Sequence, residues 1–388
     1  MALSRHQLAQ QRKARGFTQE SLAEHLHVDR STVVRWESGR GDPQPWMRPR
    51  LARALGVTAE RLQDLLAAPS LDTTPENGRR EYALRHPERC DLSTCASLRT
   101  ELQQLAERYD EVPSASLLAE GGRQLGHVTL LAAEARKGRV QRELRTLQAD
   151  AATLMGQLVW DASQRRDHAT ANSFYAQGVS VARHLRDHTL EGHALLRTCY
   201  VALYGTRDAQ EGLDLALQAA HTAQGSSHAL AGLAMLHAGE AYAMLGHATE
   251  CESALGEAEK YLNRADAADA AAELVTPTQI GRLAGSCYLA LGQHRRAERI
   301  LTATAAELRD RRKSRAIVMG NLTLALIRQR EVEAAVEALG QAIEELEETR
   351  GGGGMNLVFG AARELRPWRQ EPGVQDVHDR LLVLMAAQ

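Results

Sequence analysis

The chain has 388 residues, enough for two or three domains, and 44 % of them are hydrophobic, so sizeable cores can form. Alanine and leucine dominate while aromatics make up only 4 %, a composition that favours packed helices over sheets. The formal net charge of −2 excludes a chain that coats nucleic acid with its whole surface. The charge is uneven. Residues 1–68 carry eleven Lys plus Arg against seven Asp plus Glu, a net of +4, and the remainder carries −6. A small basic head on an acidic body fits a protein that touches DNA through one domain only. Cysteines number five, no secretory apolar segment follows Met1, and no run approaches the ~18 apolar residues of a membrane helix. The expectation is a reduced, soluble, cytoplasmic protein with no membrane partner. His86, Cys90 and Cys95 lie close in sequence, but their spacing matches no common zinc pattern and no fourth ligand is nearby. No metal and no cofactor is expected.

Residues 4–15 read as a first helix with Leu8 facing inward and Gly16 ending it. The stretch Phe17 to Gly39 then reads as two short amphipathic helices across a tight turn. Thr18 is placed to cap the helix that begins at Gln19, and Leu22, Ala23 and Leu26 form its apolar face. Asp29 offers a second cap, Val33, Val34 and Trp36 supply apolar contacts, and Gly39 can end the second helix in a left-handed conformation. Arg30, Ser31, Thr32 and Arg35 are left for the outer face. An exposed helix N-terminus with Arg, Ser and Thr suits the DNA major groove, where arginine pairs bidentately with guanine. The bland alternative is a surface helix with two arginines, and the agreement of caps, turn and outer face weighs against it.

At TQxxLAxxL (Thr18–Leu26), STVVRWExG (Ser31–Gly39) and LARALGV (Leu51–Val57) the segment resembles the XRE-family helix-turn-helix domain of phage repressors and Cro. The resemblance covers residues 4–67 and implies five short helices and DNA binding as a dimer. Carried over by position, it implies DNA contacts from Thr18, Gln19, Arg30, Ser31, Thr32, Arg35 and Arg40. Arg30, Ser31 and Arg35 would face base edges, Gln19 a phosphate, and Thr32 a phosphate or a thymine methyl. Glu37 matches the family glutamate that pairs with an arginine of the first helix, here Arg12. Prolines 43, 45 and 49 make a rigid corner before the Leu51–Leu55 helix, and Thr58 opens a capping segment for a fifth helix through Leu66. The domain is set at residues 1–67, followed by a polar, turn-rich linker over 68–80.

From Glu81 the chain reads helical, with a connecting and capping region over 81–139 that includes helices Leu92–Tyr109 and Ser116–Gly138. Val140–Gln164 is a further long helix. Gly239, Tyr242, Gly246, Cys251, Leu255 and Ala258 are separated by 3, 4, 5, 4 and 3 residues. Gly285, Tyr288, Gly292, Ala297, Leu301 and Thr304 repeat those separations, as do Thr323, Leu326, Arg330, Ala335, Leu339 and Ala342. Looser copies start at Val159 and Cys199. The pattern resembles tetratricopeptide repeats and covers residues 140–345, with starts 40, 40, 46 and 38 residues apart. Residues 346–388 are expected to cap the stack, with Gly351–Gly354 as a flexible connector. The fold class is all-α: a five-helix head and a tetratricopeptide-like α-solenoid.

No HExxH, GxSxG or phosphate loop occurs, so no enzyme is expected. The repeat register projects Trp160, His193, Tyr200, Tyr204, Glu240, Gln279, Arg282 and Ser286 into a concave groove, where aromatics beside polar groups suit a peptide or small ligand. The same residues read equally well as interhelical core. An XRE domain joined to such repeats resembles peptide-sensing regulators of Gram-positive bacteria, and more closely actinobacterial XRE–repeat regulators, as in the late ELRPW segment. The expectation is a homodimeric, sequence-specific transcriptional regulator whose repeats dimerise and sense a peptide or small molecule. The alternative is a DNA-tethered scaffold that recruits a partner protein without a small ligand.

Overall fold

The computed structural model describes residues 6–38, 41–44, 46–66, 75–136, 138–276, 278–308 and 311–386, and every regular element among them is helical. They form two compact units, Met1–Tyr82 and Ala83–Gln388.

The head holds α1 (His6–Ala14), α2 (Gln19–Leu26), α3 (Arg30–Glu37), α4 (Arg48–Leu55) and α5 (Ala59–Leu66). Its core gathers Leu8, Leu22, Leu26, Val33, Trp36, Leu51, Leu55 and Leu62. Thr18 caps α2 reciprocally: its Oγ1 accepts from the Ser21 amide at 3.0 Å, and its own amide donates to Ser21 Oγ at 2.8 Å. Thr58 accepts from the Arg61 amide and opens α5.

Two expectations fail here. Asp29 sits at the cap position of α3 with extended backbone, but its side chain makes no cap bond. The Thr32 amide is taken by the Asp29 carbonyl at 2.9 Å instead. Val34 is 36 % exposed, because the neighbouring Val33 points into the core and Val34 follows it 100° around the helix. The expected left-handed end at Gly39 lies outside the described residues, as does Arg40. The expected linker 68–80 is described only from residue 75, where helix α6 (Pro75–Arg85) begins.

The body is a series of antiparallel helix pairs. α7 (Leu92–Glu107) and α8 (Ser114–Glu134) precede five pairs: α9 (Arg139–Ala162) with α10 (His168–Leu185), α11 (His188–Val201) with α12 (Ala209–Ala223), α13 (His228–Met244) with α14 (Ala248–Leu262), α15 (Gln279–Ala290) with α16 (His294–Glu307), and α17 (Arg312–Arg328) with α18 (Val332–Thr349). These pairs coincide with the five sequence repeats. Asp91, Asp167, Asp187, Asp208 and Ser227 each accept a side-chain cap bond at a helix start, so the breaks between helices are written locally. The third repeat position is a left-handed turn, with φ of 80° at Gly246, 75° at Gly292 and 63° at Arg330. A Cβ on Gly285 would stand 2.5 Å from Leu301, so glycine there sets the approach of α15 and α16.

α19 (Gly352–Glu364) and α20 (Pro372–Ala386) complete the body. Gly351–Gly354 is not a flexible connector: Gly352, Gly353 and Gly354 are buried in the first turn of α19. A Cβ on Gly352 would lie 2.8 Å from the Asp161 carbonyl oxygen, at the end of α9. The glycines serve close approach, and what they approach is the first repeat. The Gly352 amide donates to Asp161 Oδ1 at 2.7 Å, while Lys313 Nζ and Ser114 Oγ donate to Asp161 Oδ2 at 3.0 and 2.7 Å. Lys313 also lies 4.1 Å over the Tyr109 ring. The last helices thus return to the first, and the body closes on itself. Lys313 and Asp161 are 4 % and 3 % exposed, so removing one leaves the other as an uncompensated buried charge. Lys313→Ala is expected to cost the body about 3–5 kcal/mol in urea unfolding of the full chain. Arg311→Ala, whose partner Asp110 is 3.9 Å away near the surface, should cost less than about 1 kcal/mol.

Candidate functional site

The head presents the N-terminus of α3 beside that of α2, and one buried carboxylate orders both. Arg12 Nε donates to Glu37 Oε1 at 2.6 Å, Arg12 Nη1 to the Phe17 carbonyl at 2.6 Å, and Gln19 Nε2 to Glu37 Oε2 at 2.7 Å. Arg12 and Glu37 are 5 % and 7 % exposed, so the expected pair is a structural tie within the head. Gln19 is held with its amide nitrogen on Glu37 and its oxygen 3.5 Å from Arg30 Nη2. Arg30 also meets Glu20 at 2.5 Å, in a pair whose side chains are both more than half exposed. Such a pair is worth little in water, so a phosphate can take the guanidinium at small cost. A backbone hydrogen bond, and next the Arg30 charge after a smaller opposing burial effect, holds the Glu20 carboxyl below its ordinary range.

Thr18, Arg30, Ser31 and Arg35 are exposed and Thr32 is half-buried, with Arg35 Nη2 3.5 Å from Thr32 Oγ1. Thr18 spends its hydroxyl on the α2 cap. The short polar network Arg12–Glu37–Gln19–Arg30–Glu20 fixes the outer face on a buried anchor. Sequence reasoning missed the Glu37–Gln19 and Glu20–Arg30 links; only the alternation of charge signs across the two helix starts hinted at them.

In the body, the structure brings Trp160, Tyr200, Tyr204, Glu240, Arg282 and Ser286 into one region. Tyr204 donates its hydroxyl hydrogen to Glu240 Oε2, and Ser286 Oγ donates to Glu240 Oε1 at 2.6 Å. His237, not foreseen from sequence, places Nδ1 2.8 Å from the Tyr204 hydroxyl and its ring 4.4 Å from that of Tyr200. Burial pushes the Glu240 carboxyl up, but hydrogen bonds from His237, Ser286 and Tyr204 outweigh it and hold the group below its usual range. Burial also lowers His237, outweighing the pull of Glu240, so its imidazole is neutral. Arg165, likewise unforeseen, stacks its guanidinium 4.7 Å from the Trp160 ring and 5.6 Å from that of Tyr204. Arg282 acts electrostatically on Tyr200, Tyr204 and His237.

The other two groove candidates lie apart from this hydrogen-bonded cluster. His193 accepts from Arg197 Nε at 3.2 Å and is pushed down to about 3 by burial and then by Arg197. Gln279 is buried at the start of α15 and accepts from Thr276. Among the described residues no group of His, Cys, Asp or Glu has a metal-holding arrangement, and no helix is long and apolar enough to cross a membrane.

Residues 5–65 match a helix-turn-helix domain family. An HTH-type transcriptional regulator of Methanothermobacter thermautotrophicus is 41 % identical over 58 residues, which are 15 % of this chain and 81 % of that protein. This chain belongs to the helix-turn-helix transcriptional regulators. The HTH-type transcriptional activator BcrR of Enterococcus faecalis is 36 % identical over 73 residues, 19 % of this regulator and 34 % of BcrR, so the regulator spans about a third of that relative. Bacillus thuringiensis PlcR, in its complex with the peptide PapR7 and DNA, aligns over 68 % of the regulator and 95 % of its own chain, at a TM-score of 0.36 and 15 % identity.

The network separates the buried anchors Arg12 and Glu37 from the exposed side chains Arg30, Ser31 and Arg35. Glu37→Ala in the regulator is expected to lower head stability by about 3–5 kcal/mol, because Arg12 is left buried without its counter-charge. Arg35→Ala should leave the head's melting transition unchanged and weaken the cognate site by about 1–3 kcal/mol while relaxing one base pair. Equal weakening on all sequences would make Arg35 a phosphate contact instead.

Proposed function

We propose that the regulator binds a two-fold operator as a homodimer, and that its repeat body dimerises and senses a peptide or small-molecule signal. A short recognition helix reads only a few base pairs, so sequence specificity calls for two heads on half-sites about 34–36 Å apart. Arg30, Ser31 and Arg35 then face base edges in the major groove, and Thr32 a phosphate or a thymine methyl. Gln19 lines the phosphate side. Thr18 and Arg40 complete the set by family position, Arg40 lying outside the described residues. Acting in the cytoplasm on chromosomal DNA, the body supplies pairing and response.

The single observation that carries the sensing role is the convergence of Trp160, Tyr200, Tyr204, Glu240, Arg282 and Ser286 in a body that closes through Asp161. A scaffold for partner proteins needs an open face; a buried, partly aromatic cluster with polar groups suits a small ligand better. Such a ligand acts only through different affinities for two arrangements of the paired heads.

Genome-wide footprinting of the full-length protein, with and without native cell extract, tests this. The expected result is a sharp palindromic site that weakens or moves when extract is added, together with weak DNA binding by residues 1–68 alone. No discrete site in either condition would move the reading to a DNA-tethered scaffold, and tight binding by the fragment would remove dimerisation from the body.

A further inference from the structure

We propose that Trp160, Arg165 and His237 form a binding site for a small organic carboxylate inside the repeat body. The proposal rests on the sensing role above and names the ligand chemistry of the same region.

Among the described residues, six buried side-chain polar atoms have no hydrogen-bond partner, and three of them are Trp160 Nε1, Arg165 Nε and His237 Nε2. Buried polar atoms are satisfied in ordinary cores because each orphan costs desolvation free energy, so three in one cluster call for an explanation. Trp160 is 4 % and His237 1 % exposed. The protein holds these groups in place deliberately. Gln164 and Arg165 both adopt left-handed backbone, with φ of 54° and 60°, a pairing that costs L-residues free energy and turns Arg165 between the two aromatic rings. The Arg165 guanidinium makes no hydrogen bond or ion pair among the described residues. The two aromatic rings and the Gly353 backbone pack against it, and its Nε is left without a partner.

The donor set defines the ligand. The indole N–H can only donate, and Arg165 adds a donor with full positive charge. The Tyr204 hydroxyl spends its hydrogen on Glu240, so His237 Nδ1–H must donate to Tyr204, and the neutral ring leaves Nε2 as a bare acceptor. Each Glu240 oxygen already accepts one hydrogen bond, from Tyr204 and from Ser286, and Asp161 accepts from Lys313, Ser114 and the Gly352 amide. A planar anion with two oxygens meets the indole and guanidinium N–H groups, an aromatic or apolar body lies along Tyr200 and Tyr204, and a hydroxyl or amine on it reaches His237 Nε2.

Isothermal titration of the full chain with benzoate, against benzamide as an uncharged isostere, tests this without DNA. Benzoate is expected to bind saturably and benzamide not at all. Trp160→Phe, which keeps the ring and removes the N–H, should weaken benzoate about tenfold. Arg165→Gln should abolish binding with the melting transition retained; should that variant fail to fold, Arg165→Lys and Trp160→Phe decide the matter. No saturable benzoate binding, equal binding of benzamide, or unchanged binding by the variants overturns the proposal. Any of those results leaves extract-responsive operator binding standing. Loss of that response in a protein that still binds benzoate would instead remove the sensing role.

Discussion

The body depends on one buried carboxylate. Asp161 accepts from Ser114, from Lys313 and from the Gly352 amide, groups 47, 152 and 191 residues away in the chain. Taking a carboxylate and an ammonium out of water is costly, and the cost is offset only because each Asp161 oxygen has its donors at 2.7–3.0 Å. Repeats of this kind ordinarily contact only their neighbours, so an open stack has no long-range constraint. Here the ion pair supplies one, and the glycines at 352–354 make room for it. Trp160 and Arg165 flank Asp161 in sequence, so the closure also positions the two donors that point at a ligand.

The head follows a parallel logic on a smaller scale. Glu37 is buried against Arg12 and lends its second oxygen to Gln19, which in turn sits beside Arg30. In each unit a single carboxylate fixes surrounding donors, and the side chains one step further out remain adjustable. The exposed Arg30–Glu20 pair and the unpartnered Arg165 Nε are the adjustable members.

Much of this was legible in the sequence where the signal is local. Thr18, Thr58 and the Leu22, Leu26, Val33 and Trp36 positions marked the head's helices because caps and 3.6-residue periodicity act within a few residues. The repeats were legible because small residues at fixed separations are demanded by helix approach, as at Gly285. Asp29 misled because a side-chain cap and a backbone turn satisfy the same amide. Gly351–Gly354 misled more seriously. Composition reads four glycines as flexibility, whereas the fold uses their lack of side chains, and no local signal distinguishes the two. The Lys313–Asp161 contact spans 152 residues and leaves no periodic trace. His237 and Arg165 were missed for a related reason: projecting the repeat register selects groove-facing positions, while these two enter through a helix interior and a left-handed turn.

Closure is the claim on which the enclosed site stands, and amide hydrogen exchange of the full-length protein measures it most directly. The Gly352 amide is bonded to a carboxylate rather than to a helix carbonyl, so its protection reports on the closure itself. The account predicts that Gly352 exchanges as slowly as the buried amides of α9 and α17, opening only with the body as a whole. Fast exchange at Gly352 and the first turn of α19, while the repeats remain protected, would contradict it and return the body to an open stack.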